Sequence, residues 1–216
     1  MNQTFRAIMF DLNRTLLNSL ANLANATNHA LATLDCPTHP LEAYRQFVGD
    51  GARVLCERAL PGDRQALLPE MLRLMREHYA AHCFELTRPY AGIPELLSAL
   101  TERRYKLAVL SNKPDDFTKQ VVAHYFKDVP FAAVRGGSAN IPLKPDPTGA
   151  LQIAGELEIS TSEWLYLGDT NTDMHTARQA GMFAVGVLWG FREREELLDA
   201  GAATLIARPE DFLTLL

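Results

Sequence analysis

Residues 7–19, AIMFDLNRTLLNS, contain the feature that decides the fold of this chain. A short apolar run ends at Asp11, a polar turn follows it, and apolar residues then resume at helical spacing. This order predicts a buried strand, a short loop and a helix. Because ligands of open α/β sheets bind beyond the carboxyl ends of the strands, Asp11 stands where such proteins place their chemistry.

Five further segments resemble the first strand, since each is short, apolar, rich in β-branched or aromatic residues, and followed by polar residues or glycine. Helical patterns lie between these segments, and the alternation predicts a parallel sheet covered on both faces. The predicted strands are 6–10, 106–110, 131–134, 164–167, 184–188 and 204–207. The predicted helices between and after them are 93–103, 115–125, 147–157, 172–180, 193–200 and 209–215.

Residues 19–84 interrupt this alternation, because they contain helical patterns and no convincing strand. The predicted helices there are 19–34, 41–48, 52–60 and 63–84, with breaks that contain proline or glycine between them. We therefore predict an α/β protein with a doubly wound parallel sheet. Residues 1–16 and 88–216 would form the catalytic core, and residues 17–87 would form an inserted, all-helical cap domain.

Composition limits the classes of function that are open to the chain. Its 216 residues are 47% hydrophobic with a mean hydropathy of −0.09, which is typical of a soluble globular protein. The net charge of −5 argues against nucleic acid as a partner, since duplex binding depends on clustered Lys and Arg. No apolar run approaches about 20 residues and the N-terminus does not resemble a signal peptide, so no membrane association is expected. Three distant cysteines, Cys36, Cys56 and Cys83, indicate reduced thiols in a cytoplasmic protein.

Polar residues follow four of the predicted strands, where they would meet at one edge of the sheet. Carboxylates such as Asp11 and Asp169 are ligands that suit Mg²⁺, whereas Ser111 and Lys144 offer a hydroxyl and a cation that suit a phosphoryl group. Together they fit phosphoryl transfer through an aspartyl-phosphate, although each alone has an ordinary explanation as a helix cap or a solvated charge. In chain order the group is Asp11, Asn13, Thr15, Ser111, Asn112, Lys113, Lys144, Asp169 and Asp173.

The segments FDLNRTLLNS, LSNK, LKPDP and LGDTNTD resemble, in order and spacing, the four motifs of the haloacid dehalogenase superfamily. The resemblance covers essentially the whole chain, and VGDGA, RPYAGIPELL and GVLWGF look most like the phosphoglycolate phosphatase branch. It implies a Rossmann-like core with a helical cap, and a Mg²⁺-dependent phosphomonoester hydrolase that acts on a small phosphorylated metabolite. Phosphoglycolate, sugar phosphates and pyridoxal phosphate all remain open as substrates, and the oligomeric state is not readable.

The resemblance also implies roles for individual residues. Asp11 matches the nucleophile, and Lys144 matches the lysine that holds the nucleophile and the phosphoryl group together. Asp169 matches the carboxylate on the metal, and Asp173 matches the second acid, which supports the metal through water or orients the lysine. Asn13 would contribute its backbone carbonyl to the metal. The residues that we expect to bind substrate are Thr15, Ser111, Asn112, Lys144, Gly49 and Arg53.

Two residues depart from the Asp-x-Asp-Gly-Thr form of the first motif. Asn13 replaces the acid that protonates the leaving group and then activates water, and loss of a general acid–base typically costs about 10²–10⁴-fold. Arg14 replaces a glycine, and a left-handed backbone there would cost about 1–2 kcal/mol of strain. We expect the Arg14 guanidinium to point into solvent, and the alternative is that it contacts a substrate carboxylate or phosphate.

Three explanations of these departures stay open. The chain is a weakened or non-catalytic member that binds a phosphometabolite or a protein partner, or a variant engineered to trap a complex, or an enzyme whose chemistry never needed the second acid. Phosphonoacetaldehyde hydrolase, one relative of the third kind, needs a cap lysine, and residues 1–105 contain no Lys. The 2-haloacid dehalogenases do not use Mg²⁺, and the metal-type segment GDTNTD argues against them.

Two weaker signals lie in or beside the predicted cap. Arg53 and Arg88 are the basic residues best placed to meet a substrate carboxylate from the cap side. His78 and His82 lie four residues apart on a predicted helix, a spacing that can bind a metal. No third ligand is evident from the sequence, so we expect these histidines to form a partly exposed helix face.

Overall fold

The computed structural model describes residues 4–216, and its strands form one large sheet and one short ribbon. In chain order the strands are β1 (Ala7–Phe10), β2 (Leu17–Asn18), β3 (Arg88–Pro89), β4 (Lys106–Pro114), β5 (Phe131–Gly137), β6 (Trp164–Gly168), β7 (Phe183–Val187) and β8 (Thr204–Ile206). Six of them form a wholly parallel sheet in the order β5-β4-β1-β6-β7-β8. The predicted α/β, doubly wound sheet is therefore confirmed.

The helices divide into a group that precedes β3 and a group that covers the sheet. The first group is α1 (Leu20–Thr33), α2 (Tyr44–Phe47), α3 (Ala52–Ala59) and α4 (Leu68–His82). The second group is α5 (Ile93–Glu102), α6 (Asp115–Tyr125), α7 (Thr148–Glu156), α8 (Asn171–Gln179) and α9 (Arg194–Asp199). Short 3₁₀ helices complete both groups at Leu41–Ala43, Gly62–Leu67, Thr161–Glu163 and Pro209–Leu215.

β1 lies at the centre of the sheet, between β4 and β6, and every one of its residues is fully buried. Because helices cover both faces, residues that point to either face must be apolar. Ile8 and Phe10 pack in one hydrophobic cluster, whereas Ala7 and Met9 pack in the cluster on the opposite face. A strand that is apolar on both faces is the reason that residues 7–10 read as a continuous apolar run.

Residues 20–82, which we call the helical insert, supply most of one hydrophobic cluster, in which Leu31, Cys56 and Met71 are fully buried and which also includes Phe117 of α6. The antiparallel ribbon of β2 and β3 joins the insert to the core, and the predicted boundaries after residues 16 and 87 lie at this ribbon. Beside the ribbon, the buried amide of Asn22 donates to the Cys83 carbonyl at 2.6 Å. It also donates to the Thr87 hydroxyl at 2.9 Å and accepts from the Leu86 N–H at 3.2 Å.

The prediction of one helix over residues 63–84 was wrong, because the structure divides this segment. A 3₁₀ helix covers Gly62–Leu67, and α4 begins at Leu68 with Pro69 in its first turn. Proline lacks the N–H that would continue a preceding helix but is tolerated in a first turn, so the chain starts a new helix there. Across residues 4–216, no helix has the length and apolar character needed to cross a bilayer.

Candidate active site

The charged residues of the predicted motifs meet at the carboxyl edge of the sheet. Phe10 of β1 lies beside Val109 of β4 and beside Leu167 of β6. This register places Asp11, the residue after β1, next to the residues that follow the two neighbouring strands. A loop after β5 brings Lys144 to the same place, and the first turn of α8 brings Asp173. The residues assembled here are Asp11, Asn13, Ser111, Asn112, Lys144, Asp169 and Asp173.

Lys144 connects two carboxylates beneath the site. Its Nζ donates to Asp11 Oδ1 at 2.7 Å and to Asp173 Oδ1 at 2.6 Å, and all three residues are buried. Burial acts to lower the pKa of Lys144, but the two carboxylates outweigh it and hold this pKa well above its usual value. Burial raises the pKa of Asp11 to about 6, against the opposing influence of Lys144. Lys144 is therefore a fixed positive charge in contact with the proposed nucleophile.

The side chain of Asn112 holds the backbone of Lys144 in place. Asn112 Oδ1 accepts from the Lys144 N–H at 2.8 Å, and its Nδ2 donates to the Lys144 carbonyl at 3.0 Å. The same Nδ2 donates to the Gly49 carbonyl at 3.3 Å, which links the helical insert to the core. We expected Asn112 to bind substrate. It borders the pocket, but its side-chain amide is used on these three backbone contacts.

Asp173 is oriented by the start of its own helix. Thr170 caps α8, and Asp173 Oδ2 accepts from the Thr170 N–H at 3.1 Å and from its hydroxyl at 2.7 Å. These contacts leave Asp173 Oδ1 for Lys144. Asp173 thus contacts the lysine directly, a contact that one of the two roles implied by the resemblance requires.

Asp11, Asp169 and Asp173 form an acidic group whose ligand oxygens all lie within 4.8 Å of one another. Asp169 is completely buried, and its Oδ1 has no hydrogen-bond partner. A buried carboxylate oxygen without a donor is costly unless a cation contacts it. Oxygen donors at this spacing are the ligands that Mg²⁺ prefers, so this donor set fits the metal that the sequence predicted.

The expectation that Arg14 points into solvent was wrong. Its side chain is buried and its Nε donates to Asp169 Oδ2 at 2.9 Å, in an ion pair between residues that are 155 positions apart. The Arg14 backbone has a φ of 69°, so the left-handed conformation considered from the sequence is present. Burial raises the pKa of Asp169, and the Arg14 guanidinium opposes that shift.

Asn13 borders the pocket and its amide is oriented by a neighbour. The Ser19 hydroxyl donates to Asn13 Oδ1 at 2.8 Å. Ser111 also borders the pocket, and its hydroxyl accepts from the Lys113 N–H at 3.2 Å. Both side chains therefore border the same pocket as Asp11.

The pocket above these residues has mostly apolar walls. Lys113 also borders it, with its Nζ 2.6 Å from the Tyr79 hydroxyl and 4.2 Å from the centre of the Tyr79 ring. The sequence places Lys113 at a strand end, directly after Ser111 and Asn112, but we predicted no role for it from this position. The apolar side chains that line the pocket include Leu20, Leu23, Leu55, Met75 and Phe117.

The remaining substrate-binding candidates differ in where they lie. Gly49 borders the pocket as expected. Arg53 is not brought to the pocket, since its side chain is 69% exposed and its Nε lies 2.8 Å from Glu57. Thr15 is fully buried away from the pocket, with its carbonyl accepting from the Trp189 indole at 3.0 Å. Arg88 is exposed and donates to backbone carbonyls near its own ribbon.

His78 and His82 gain a third neighbour that the sequence did not reveal. The His78 ring lies 4.3 Å from the ring of His29 on α1 and 4.3 Å from the ring of His82, centre to centre. Burial, followed by the two flanking imidazoles, lowers the pKa of His78. Among the described residues the acidic group at the sheet edge is the candidate metal centre, and the three histidines form a row of neighbouring, tilted rings.

Comparisons with known proteins agree with this geometry. A family described as haloacid dehalogenase-like hydrolase matches residues 8–187. A protein named phosphoglycolate phosphatase from Mannheimia succiniciproducens is 32% identical over the whole chain and 99% of its own length. One of the same name from Haemophilus influenzae is 32% identical over 88% of the chain and 89% of its own length. The crystal structure of a predicted phosphoglycolate phosphatase from Haemophilus somnus has a TM-score of 0.89, 27% identity, and covers 100% of the chain and 99% of its own.

Proposed function

The chain belongs to the haloacid dehalogenase-like hydrolase family, and we propose that it is a Mg²⁺-dependent phosphomonoester hydrolase of the phosphoglycolate phosphatase type. The observation that carries this proposal is the buried contact of Lys144 with Asp11 below a pocket. A carboxylate held against an ammonium, beside two further acids, provides a nucleophile and the charges that phosphoryl transfer needs.

The proposed chemistry starts with attack of Asp11 on phosphorus. Asp11 Oδ1 is engaged by Lys144, so Oδ2 is the oxygen that forms the new O–P bond while the ester O–P bond breaks. Water then hydrolyses the aspartyl-phosphate and returns the carboxylate. Lys144 offsets negative charge on the phosphoryl oxygens, and the Ser111 hydroxyl donates to one of them.

Asp11, Asp169 and the backbone carbonyl of Asn13 would hold Mg²⁺, with Asp173 in support. Bound there, the ion would supply charge neutralisation for the transferring phosphoryl group. The proton steps are the weak part of this site. The leaving oxygen must gain a proton and the attacking water must lose one, and the amide of Asn13 can do neither near neutral pH. We therefore propose that turnover is reduced by about 10²–10⁴-fold relative to a chain with Asp at this position.

The substrate that we propose is a small phosphorylated metabolite. The apolar pocket walls restrict the size of the leaving group, and the Lys113 ammonium offers a cation for an anionic one. Phosphoglycolate has that character, and the two relatives described above have names that refer to it. We also propose a cytoplasmic location, which the free thiols of Cys36, Cys56 and Cys83 support.

The test measures phosphate release with millimolar Mg²⁺ from an aryl phosphate and from a panel of phosphometabolites that includes phosphoglycolate. The matched control is Asp11→Asn, which removes the nucleophile and keeps the side-chain shape. We expect slow release by the chain and none by the control. Equal release by both would contradict catalysis by Asp11, and no release by either the chain or Asn13→Asp would contradict hydrolysis altogether.

A second function has one specific observation in its favour, namely the amide at Asn13. A chain that holds a phosphorylated ligand between Ser111 and Lys144 but lacks a general acid–base would serve as a binding protein. This alternative, a catalytically inactive member that binds a phosphometabolite or a protein partner, predicts ligand-dependent thermal stabilisation without phosphate release.

A further inference from the structure

The backbone at Arg14 is one that favours glycine. Its φ of 69° is left-handed, a region that strains a residue with a side chain. The turn is closed by hydrogen bonds from the Arg14 N–H to the Leu17 carbonyl and from the Leu17 N–H to the Leu12 carbonyl. An arginine in this conformation therefore needs interactions of its side chain that offset the strain.

The guanidinium of Arg14 lies beside the acidic group, and Arg14 borders the pocket. Its Nε donates to Asp169 Oδ2, and its central carbon lies 5.7 Å from the centre of the Phe191 ring. Its terminal nitrogens lie 3.4 and 3.7 Å from the point where a side chain at Gly49 would begin. Gly49 of the insert therefore lies close to the guanidinium, and Arg14 stands where the core meets the insert.

Arg14 changes the charge of the site. The group contains three carboxylates, Asp11, Asp169 and Asp173, and two cations, Lys144 and Arg14. Its net charge is therefore one negative charge. Without Arg14 it would carry two. A divalent cation is held by the negative charge of its ligands, and a guanidinium paired with one of those ligands repels it.

The two oxygens of Asp169 have different surroundings. Oδ2 accepts from Arg14 and, at 3.3 Å, from the Phe191 N–H, whereas buried Oδ1 has no donor. Oδ1 is therefore available to a metal ion, while Oδ2 is occupied by a cation that belongs to the chain. A metal at Oδ1 and a guanidinium at Oδ2 share one carboxylate and oppose one another.

We propose that Arg14 is a built-in cation of the metal site, which neutralises Asp169 in the absence of metal and weakens the binding of Mg²⁺. This inference rests on the acidic group being the Mg²⁺ site of the proposed function. A chain of this kind keeps its site assembled without metal and becomes loaded only at high Mg²⁺ concentration. Because a unit charge a few ångströms from a divalent ion is a strong interaction, we expect removal of the Arg14 charge to tighten Mg²⁺ binding by at least about tenfold.

The test titrates Mg²⁺ into metal-free protein and follows both heat of binding and melting temperature. Arg14→Gly removes the charge and the backbone strain, whereas Arg14→Gln removes the charge and keeps the strain. The matched control is Arg45→Ala. The guanidinium carbon of Arg45 lies 5.0 Å from the centre of the same Phe191 ring, but Arg45 is exposed and is not paired with Asp169 in the described structure.

We expect both Arg14 variants to bind Mg²⁺ at least about tenfold more tightly than the parent chain and to gain more in melting temperature on Mg²⁺ addition. Arg45→Ala should titrate like the parent. Affinities of Arg14→Gln and Arg14→Gly within about threefold of the parent would overturn the proposal, as would an equal tightening in Arg45→Ala. If Arg14→Gly does not fold without metal, Arg14→Gln and refolding with Mg²⁺ decide the outcome. Phosphate release is not measured, so a failure of the proposed hydrolysis cannot be mistaken for a failure of this inference.

Discussion

Asn13→Asp should restore the missing proton transfer with little change in structure. The two side chains have nearly the same shape, and the Ser19 hydroxyl that donates to Asn13 Oδ1 at 2.8 Å can donate equally to a carboxylate. The new acid would border the pocket, where the leaving oxygen of a substrate on Asp11 would lie. A general acid–base contributes about 10²–10⁴-fold, which corresponds to about 2.7–5.4 kcal/mol of transition-state stabilisation.

The assay compares kcat/KM for an alkyl phosphate with kcat/KM for an aryl phosphate. An aryl oxide leaves readily without a proton, whereas an alkoxide needs one, so the gain should be larger for the alkyl substrate. The matched control is Asn18→Asp, the same chemical change at an exposed residue of β2. It should leave both substrates unchanged.

Two results would refute this reasoning about Asn13. The first is a folded Asn13→Asp protein whose kcat/KM for alkyl phosphates stays within a few-fold of the parent. The second is an equal gain for Asn18→Asp, because the effect would then come from added negative charge and not from proton transfer. A gain that is the same for alkyl and aryl substrates would separately exclude protonation of the leaving group as its cause.

Three further predictions concern stability. Lys144→Met should lower the free energy of unfolding by about 3–5 kcal/mol in urea titrations, since it leaves buried carboxylates without their partner. The control is Lys119→Met, which removes an exposed ion pair with Asp115 and should cost about 0–1 kcal/mol. Asn22→Ala should cost about 3 kcal/mol by the same measurement, because it removes the partner of the buried Cys83 carbonyl and of the Leu86 N–H. Asn25→Ala on the exposed side of α1 should cost little. Because the pKa of His78 is lowered in the folded protein, its contribution to stability is complete above pH 6.5, the ordinary pKa, and is lost as the pH falls below that value. In His78→Gln the melting temperature should therefore depend less on pH in this range.

Each stability prediction has an outcome that contradicts it. Equal losses for Lys144→Met and Lys119→Met would mean that the buried contacts of Lys144 contribute no more than a surface ion pair. A loss below about 1 kcal/mol for Asn22→Ala would show that water replaces its hydrogen bonds. An unchanged pH dependence in His78→Gln would assign the acid sensitivity to other groups.

Much of the fold could be predicted because its determinants are local in the chain. Every predicted strand of the sheet is present, since each is a short apolar run that ends where the polar edge begins. The meeting of the charged motif residues could be predicted for the same reason, because residues after parallel strands arrive at one edge whatever the intervening packing is. Asp11, Lys144 and Asp169 could therefore be placed near one another although they lie far apart in the chain.

Contacts between distant elements were not predictable in this way. Arg14 pairs with Asp169, and Lys113 contacts Tyr79 of the insert. The ring of His78 lies beside that of His29 on another helix. No periodicity or motif records these pairings, because each depends on how elements that are distant in the chain pack against one another. The direction of an arginine side chain is set by the carboxylate and the space that packing offers it.

The amide at Asn13 illustrates both sides of this division. The absence of an acid at that position is a property of the residue type, so the sequence alone is enough to predict that proton transfer is difficult. The consequence of the arginine beside it is not predictable in this way, because a charge acts through distance and burial. Local chemistry along the chain predicted the reaction and the residues, whereas tertiary packing determined that Arg14, 155 positions away, is the cation at Asp169.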